Sequence, residues 1–146
     1  MAWEATHSIT VKDLDRRAVW NAWADVDHWH RWDTDIEYAR LDGDLREGQT
    51  FTLKPRGGPN VKIMFTRLQP LAGYTDLVKF PLARMTGIHD MAETPEGVRL
   101  TVTIRVEGPL AWLWRRIVAQ GVADEAPAQL RALVDYAQRQ TSTAAA

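Results

Sequence analysis

The hydrophobic pattern changes its period along the chain, and this change constrains the fold more than any other feature. Residues 3–11 alternate with a rough period of two, which predicts a first strand. Residues 35–107 are short strand-like segments separated by clusters of Gly, Pro and Asp, which predict about six further strands. After Gly108-Pro109 the apolar residues follow helical spacing. Strands joined by short turns form antiparallel sheets, and the last helix is the element large enough to cover one face, so the pattern predicts an α+β fold.

Two short helices are predicted between the first strand and the rest of the sheet. Asp15 precedes residues 16–24, where apolar residues recur at helical spacing, and its carboxylate is expected to cap that helix. Asp25 is expected to cap a second short helix. Its apolar residues recur every third position and therefore share one face: Val26, Trp29 and Trp32.

Composition limits the class of protein. The 146 residues are 45% hydrophobic and 25% charged, which suits one globular domain. The net charge of -1 argues against nucleic acid as the main partner. The absence of cysteine excludes disulfides and thiolate sites. No apolar run is long enough to span a membrane, and residues 1–12 lack the apolar stretch of a signal peptide, so a cytoplasmic location is expected.

The clearest hairpin joins residues 84–93 to residues 98–107 through the loop 94–97. A four-residue loop pairs Glu93 with Val98, which places Met91 opposite Leu100 and His89 opposite Val102. The apolar alternation of the second strand must face the covering helix. Three side chains of the first strand are therefore predicted to point inward, with Gly87 leaving room between them: Met85, His89 and Met91.

The last helix is predicted to present one apolar face to the sheet. Its helical spacing includes Leu113, Ile117 and Gly121, and Pro127 is expected to kink or split it. Residues 141–146 are expected to form a disordered tail, which leaves residues 1–140 as one domain.

Three stretches resemble the START-like, or SRPBCC, superfamily and, within it, the polyketide cyclase/dehydrase-like proteins. They are Val19-Trp20 followed by Asp25-x-x-x-Trp29-x-x-Trp32, the strand that Gly97 opens, and Gly108-Pro-Leu-Ala-Trp-Leu-Trp114 at the start of the long helix. The resemblance covers about residues 3–140. It implies a helix-grip fold, in which a curved antiparallel sheet of six to seven strands surrounds a long C-terminal helix. It also implies an apolar cavity between them.

A cavity of this kind predicts a small-molecule site, since an apolar pocket with a few polar groups is the usual form of one. Gly87, Gly121 and the flexible Met85 and Met91 leave the interior lightly filled. The alternative is that the same side chains simply interdigitate as a core. The predicted ligand-binding residues are Trp29, Trp32, Phe51, Ile63, Phe65, Met85, His89, Met91, Val102, Leu113, Ile117 and Gly121.

His89 is the candidate catalytic residue. An inward imidazole can orient a ligand oxygen or transfer a proton near neutral pH. It can equally be a core histidine whose nitrogens bond to neighbours. Asp90 is expected on the opposite face, which argues against a pair with His89.

Other polar groups carry weaker signals. His28 and His30 lack the spacing of a zinc motif, and neither a metal ion nor a cofactor is expected. Asp33, Asp35 and Glu37 are interpreted as a solvated loop and edge strand rather than a carboxylate site.

Three functions remain open from the sequence. The first is binding of a hydrophobic or aromatic, polyketide- or lipid-like molecule in the cavity. The second, by resemblance, is a polyketide aromatase/cyclase-dehydratase in which Arg84 or Tyr74 assists His89. The third is a chaperone-associated interaction domain with an exposed Trp114 as its anchor. A homodimer is compatible with each of them.

Overall fold

The computed structural model describes residues 2–145, with side chains up to residue 142. The strands are β1 (Ala2–Val11), β2 (Ile36–Leu41), β3 (Thr50–Pro55), β4 (Val61–Gln69), β5 (Gly73–Phe80), β6 (Ala83–Thr94) and β7 (Gly97–Glu107). The helical segments are α1 (Arg16–Ala24), a 3-10 helix (Val26–Arg31), α2 (Ala111–Trp114), a π segment (Arg115–Ala119) and α3 (Gln120–Ala145).

The seven strands form one antiparallel sheet in the order β1-β7-β6-β5-β4-β3-β2. The first and last strands of the chain thus lie side by side, and the other strands follow as a meander. Register shifts interrupt β2 between Ile36 and Tyr38 and β4 between Phe65 and Arg67. Such bulges bend a strand and increase its twist, which helps the sheet to curve. The predicted α+β helix-grip fold is confirmed.

The β6–β7 register agrees with the prediction residue by residue. Glu93 pairs with Val98, Met91 with Leu100 and His89 with Val102. The apolar residues of β7 are buried in alternation, so this side of the sheet faces the core. We call it the inner face.

The N-terminal caps differ between the two short helices. The Asp15 carboxylate accepts a hydrogen bond from the Arg17 N–H, as predicted. The Asp25 carboxylate makes no cap on the 3-10 helix. It accepts from His28 Nδ1 at 2.8 Å instead, because the third residue of this tight turn brings the imidazole back over the carboxylate.

The C-terminal helix packs against α1, β1 and β7, and its phase changes at the π segment. A π turn inserts one extra residue into the helix, so side chains beyond it rotate relative to α-helical spacing. Ala119, Leu130 and Ala137 therefore face the core. Ile117 and Gly121, which the spacing predicted to face inward, are exposed, Ile117 to 60%.

Two further features of α3 concern Pro127 and the end of the chain. Pro127 does not split the helix, which continues through it. The helix as described ends at Ala145 and so includes residues 141–145, for which the sequence predicts a disordered tail. Thr141 Oγ1 donates to the Ala137 carbonyl at 3.0 Å within this last stretch, and alanine favours helix. Ala146 lies outside the described residues.

Candidate functional site

A cluster of aromatic rings fills one end of the space between the sheet and the helices. Trp29 lies edge-on to Phe51 at 5.2 Å, and the Phe51 and Phe65 ring centroids are 4.7 Å apart. Tyr74 continues the cluster at 5.5 Å from both Phe65 and Trp23. Edge-to-face contacts of this kind stabilise a core beyond the area that they bury. This end of the interior is therefore packed with protein.

Half of the predicted ligand-binding residues, six of twelve, are almost fully buried in this arrangement. Six have no more than 6% of their surface exposed: Trp29, Trp32, Phe51, Phe65, Met91 and Val102. They pack in the interior, and Trp32 also contributes to the wall of a cleft between α1 and α3. The predicted residues that retain accessible surface on the inner face are Ile63, Met85 and His89, while Leu113 is half-buried on α2.

Accessible side chains converge on the inner face of β4, β5 and β6. Tyr74 pairs with His89, Asp76 with Gly87, and Val78 with Met85, so these residues occupy three successive rows of the sheet. Rows on one face are about 7 Å apart. We call Ile63, Asp76, Met85 and His89 the inner patch.

Gly87 makes room for the two polar side chains of the inner patch. A Cβ atom at this position would lie 2.6 Å from Asp76 Oδ1 and 3.3 Å from His89 Nε2. A Cβ atom and an oxygen atom at 2.6 Å would overlap sterically, and one of them would have to move. The absence of a side chain at residue 87 thus allows both groups to point inward.

His89 and Asp76 are enclosed by protein, yet their side chains keep 12% and 17% of their accessible surface. The His89 Nε2 and Asp76 Oδ2 atoms are 3.8 Å apart, which is too long for a direct hydrogen bond. Among the described residues, every fully sealed side-chain nitrogen or oxygen has a hydrogen-bond partner. The nitrogens of the His89 imidazole have no hydrogen-bond partner among these residues, so they are not fully sealed and keep solvent-accessible surface.

The tyrosine ring holds the imidazole in place. His89 stacks on Tyr74 with ring centroids 4.2 Å apart and planes 12° apart. Trp23 contacts the same imidazole edge-on at 6.3 Å. The ring orientation is therefore set by aromatic contacts, which leave both of its nitrogens free of protein partners.

Burial favours the uncharged form of both groups. Burial raises the pKa of Asp76 to about 7, against an opposing backbone hydrogen bond from Gly87. Burial lowers the pKa of His89 to about 3, and the positive charge of Arg67 lowers it further. Near neutral pH the imidazole is an uncharged proton acceptor beside a carboxyl group that can hold a proton. Proton transfer to and from a bound molecule is the chemistry that this arrangement permits.

Asp76 was missed by the sequence interpretation, although a signal for it exists. Tyr74, Asp76 and Val78 alternate with a period of two, which places a carboxylate on the apolar face of β5. The outward placement expected for Asp90 agrees with its ion pair to Arg67. Arg84 is exposed and 4.0 Å from Glu107, which separates it from His89.

The acidic residues after the 3-10 helix are arranged differently from the prediction. Asp33, expected in a solvated loop, is buried and accepts a hydrogen bond from Gln129 of α3 at 2.9 Å. Burial raises the pKa of Asp33, and burial together with Asp35 and Asp33 raises the pKa of Glu125. Within residues 2–145 no group of three or more histidine or acidic side chains is placed to hold a metal ion.

A separate cleft of about 320 Å³ lies between α1 and the end of α3, outside the space that the sheet and the helices enclose. We call it the outer cleft. Its lining includes Trp32, the Asp25–His28 pair and Tyr136. Of the predicted ligand-binding residues, Trp32 alone contributes to it, so this cleft is distinct from the inner patch.

The two tryptophans of α2 have different environments. Trp114 stacks on Phe80 at 4.4 Å and donates from Nε1 to the Pro81 carbonyl at 2.9 Å. Trp112 is 50% exposed. The ring predicted as an exposed interaction anchor is therefore packed against the sheet. No helix in the described part of the chain is long and apolar enough to cross a membrane.

Comparison with known proteins agrees with the fold. A family model described as polyketide cyclase/dehydrase and lipid transport matches residues 2–138. No curated protein matches the chain.

Solved structures resemble the chain in fold at low sequence identity. The di-domain ARO/CYC StfQ from the steffimycin biosynthetic pathway has a TM-score of 0.77 at 13% identity over 97% of this chain and 52% of its own. A norcoclaurine synthase point mutant from Thalictrum flavum, in complex with a transition-state analogue, has a TM-score of 0.74 at 11% identity over 97% of each chain. The hypothetical protein jhp0584 from Helicobacter pylori has a TM-score of 0.72 at 16% identity, with 92% of this chain and 87% of that one covered.

Proposed function

Because the chain belongs to the polyketide cyclase/dehydrase and lipid transport family, we propose that it binds a hydrophobic or aromatic small molecule at the inner patch. The ligand lies against Ile63 and Met85, and its polar end meets Asp76 and His89. Methionine adapts its shape to varied apolar partners, which suits such a surface. The aromatic cluster closes one end of this space, and the Trp114–Phe80 stack lies at the other end of β5.

One observation carries this proposal. His89 is enclosed by aromatic rings but has accessible nitrogens and no partner among the described residues. A polar group of a bound molecule can therefore hydrogen-bond to His89 without displacing a protein partner.

A pair of neighbouring substitutions tests the location of the site. Met85→Trp fills the inner patch, whereas Arg84→Trp adds the same ring at the adjacent exposed position. Isothermal titration calorimetry with 2-naphthol as the probe is expected to show binding to the unsubstituted protein and to Arg84→Trp. Met85→Trp is expected to bind at least about tenfold more weakly. Absence of heat and of any thermal shift with the unsubstituted protein contradicts the proposal, as does unchanged binding by Met85→Trp.

A second candidate is a polyketide aromatase/cyclase-dehydratase that uses the same patch. The 3.8 Å approach of Asp76 and His89 favours it, because one group can accept a proton while the other donates one. His89 would take a proton from a methylene carbon of a poly-β-keto chain. The resulting carbanion would form a carbon–carbon bond to a ketone, whose oxygen would take the proton of Asp76. The Asp76 carboxylate would then take the second proton of the former methylene carbon while the His89 proton returns to the departing hydroxyl, which forms a carbon–carbon double bond, releases water and restores both side chains.

His89→Ala distinguishes this candidate from simple binding. The variant is expected to bind 2-naphthol more weakly, because a hydrogen-bonding partner of the ligand is lost. Catalysis predicts in addition that it loses cyclisation of a poly-β-keto thioester analogue, followed by mass spectrometry, even when the analogue is at saturating concentration. Undiminished turnover by this variant contradicts a catalytic role for His89. Absence of turnover in the unsubstituted protein leaves the binding function as the conclusion.

A further inference from the structure

We propose that the inner patch selects ligands whose polar end is an uncharged hydroxyl group and excludes anionic head groups such as fatty-acid carboxylates. This inference rests on the proposed binding function and specifies the ligand class for the same site. It follows from the charges that face the site and from the 3.8 Å gap between Asp76 and His89.

The described strands contribute no fixed positive charge to the inner face. The register and burial of the described strands place Asp76 there as a carboxylate, without a lysine or arginine. His7 lies on the same face, since it pairs with Val102, the residue that also pairs with His89. Two strand spacings, about 10 Å, separate the two imidazoles. An anion at the inner patch would therefore meet Asp76 and no cation of the sheet, while Arg115 of the π segment lies over the ring of Trp3, two strands from Met85.

The groups around Asp76 do not offset its negative charge. Burial raises the pKa of Tyr74 well above its usual value, and the charges of Asp76 and Asp33 raise it further. The phenol beside the patch thus stays protonated and adds no positive charge. The positive charge of Arg67 acts on His89, but Arg67 lies on the outer face and is paired with Asp90. Its charge is largely balanced there.

A hydroxyl group fits the gap between the two side chains. One oxygen atom can lie about 2.8 Å from both Asp76 Oδ2 and His89 Nε2, because those atoms are 3.8 Å apart. A hydroxyl both donates and accepts, so it can pair with either protonation state of the carboxyl group. A carboxylate only accepts, and it would place a second negative charge beside Asp76 in a poorly solvated space.

The experiment compares 2-naphthol with 2-naphthoate, which share the same ring system and differ in the polar group. Binding is measured by calorimetry at about pH 8, where imidazoles of ordinary pKa are neutral. The unsubstituted protein is expected to bind 2-naphthol at least about tenfold more tightly than 2-naphthoate. In Asp76→Asn the difference is expected to shrink by about tenfold, because the amide can donate to a carboxylate.

Asp44→Asn is the matched control, since it removes the charge of an exposed carboxylate in the turn after β2, away from the inner patch. This variant is expected to retain the selectivity. Equal affinity of the unsubstituted protein for both probes overturns the inference, and so does a selectivity that Asp76→Asn leaves unchanged. If neither probe binds, the proposed function itself fails, which is a different outcome from loss of selectivity.

Discussion

Replacement of Asp76 by asparagine removes a buried carboxyl group while nearly preserving its shape. The pKa of this group is raised from 3.8 to about 7 in the folded protein. Between these values the folded chain holds a proton that the unfolded chain has released. The contribution of Asp76 is therefore fully present below pH 3.8 and is lost as the pH rises through 7.

The magnitude follows from the size of the shift. Each pH unit across that window costs the unsubstituted protein about 1.4 kcal/mol of unfolding free energy from this group. The total is about 4 kcal/mol between pH 3.8 and pH 7. Asp76→Asn has no titrating group at this position, so its unfolding free energy does not fall for this reason. Its stability relative to the unsubstituted protein should therefore rise by about 4 kcal/mol across the window. Asp33 and Glu125 also have raised pKa values, but both proteins contain them, so their effects cancel in the difference.

Urea denaturation followed by tryptophan fluorescence measures this difference at a series of pH values. For His89→Gln, the stability difference from the unsubstituted protein is expected to change with pH in the opposite direction. The pKa of His89 is lowered from 6.5 to about 3, so its contribution is present above pH 6.5 and is lost as the pH falls through 3. The stability of His89→Gln relative to the unsubstituted protein should fall as the pH rises. A stability difference for Asp76→Asn that does not change with pH would refute the buried placement of this carboxyl group.

Other predictions concern packing. Gly87→Ala should lower the free energy of unfolding by about 1–3 kcal/mol, because its methyl group would overlap Asp76. Gly121→Ala, a helical position with nothing within 4 Å, should lose nothing in the same urea titration. Trp114→Ala should cost about 2 kcal/mol through loss of the Phe80 stack, whereas the exposed Trp112→Ala should change stability by less than about 0.5 kcal/mol. Equal costs within either pair contradict the corresponding placement.

The sequence predicts the parts of this fold that depend on local alternation. The short loop between β6 and β7 determined their pairing, and the apolar alternation of β7 determined which face turns inward. These two facts were enough to place His89 on the inner face opposite Val102. The same alternation on β5 would have placed Asp76 there too, had it been extended from Tyr74 to Val78.

Other features depend on contacts that the sequence does not display. Helical spacing assigned Ile117 and Gly121 to the core, but the π segment changes the phase of the helix and exposes both residues. A single inserted residue in the hydrogen-bond pattern leaves no mark on composition. Asp33 was expected in solvent because it lies among acidic residues. Its bond to Gln129 joins positions far apart in the chain, and periodicity cannot reveal such a pair.

Nuclear magnetic resonance of the imidazole rings tests the accessibility of the inner patch most directly. The chain has four histidines, of which His89 borders the inner patch and His28 lines the outer cleft. Addition of 2-naphthol is expected to shift the ring nitrogen signals of His89 and to leave those of His28 unchanged. Shifts at His28 without any at His89 would contradict binding at the inner patch and place the ligand in the outer cleft.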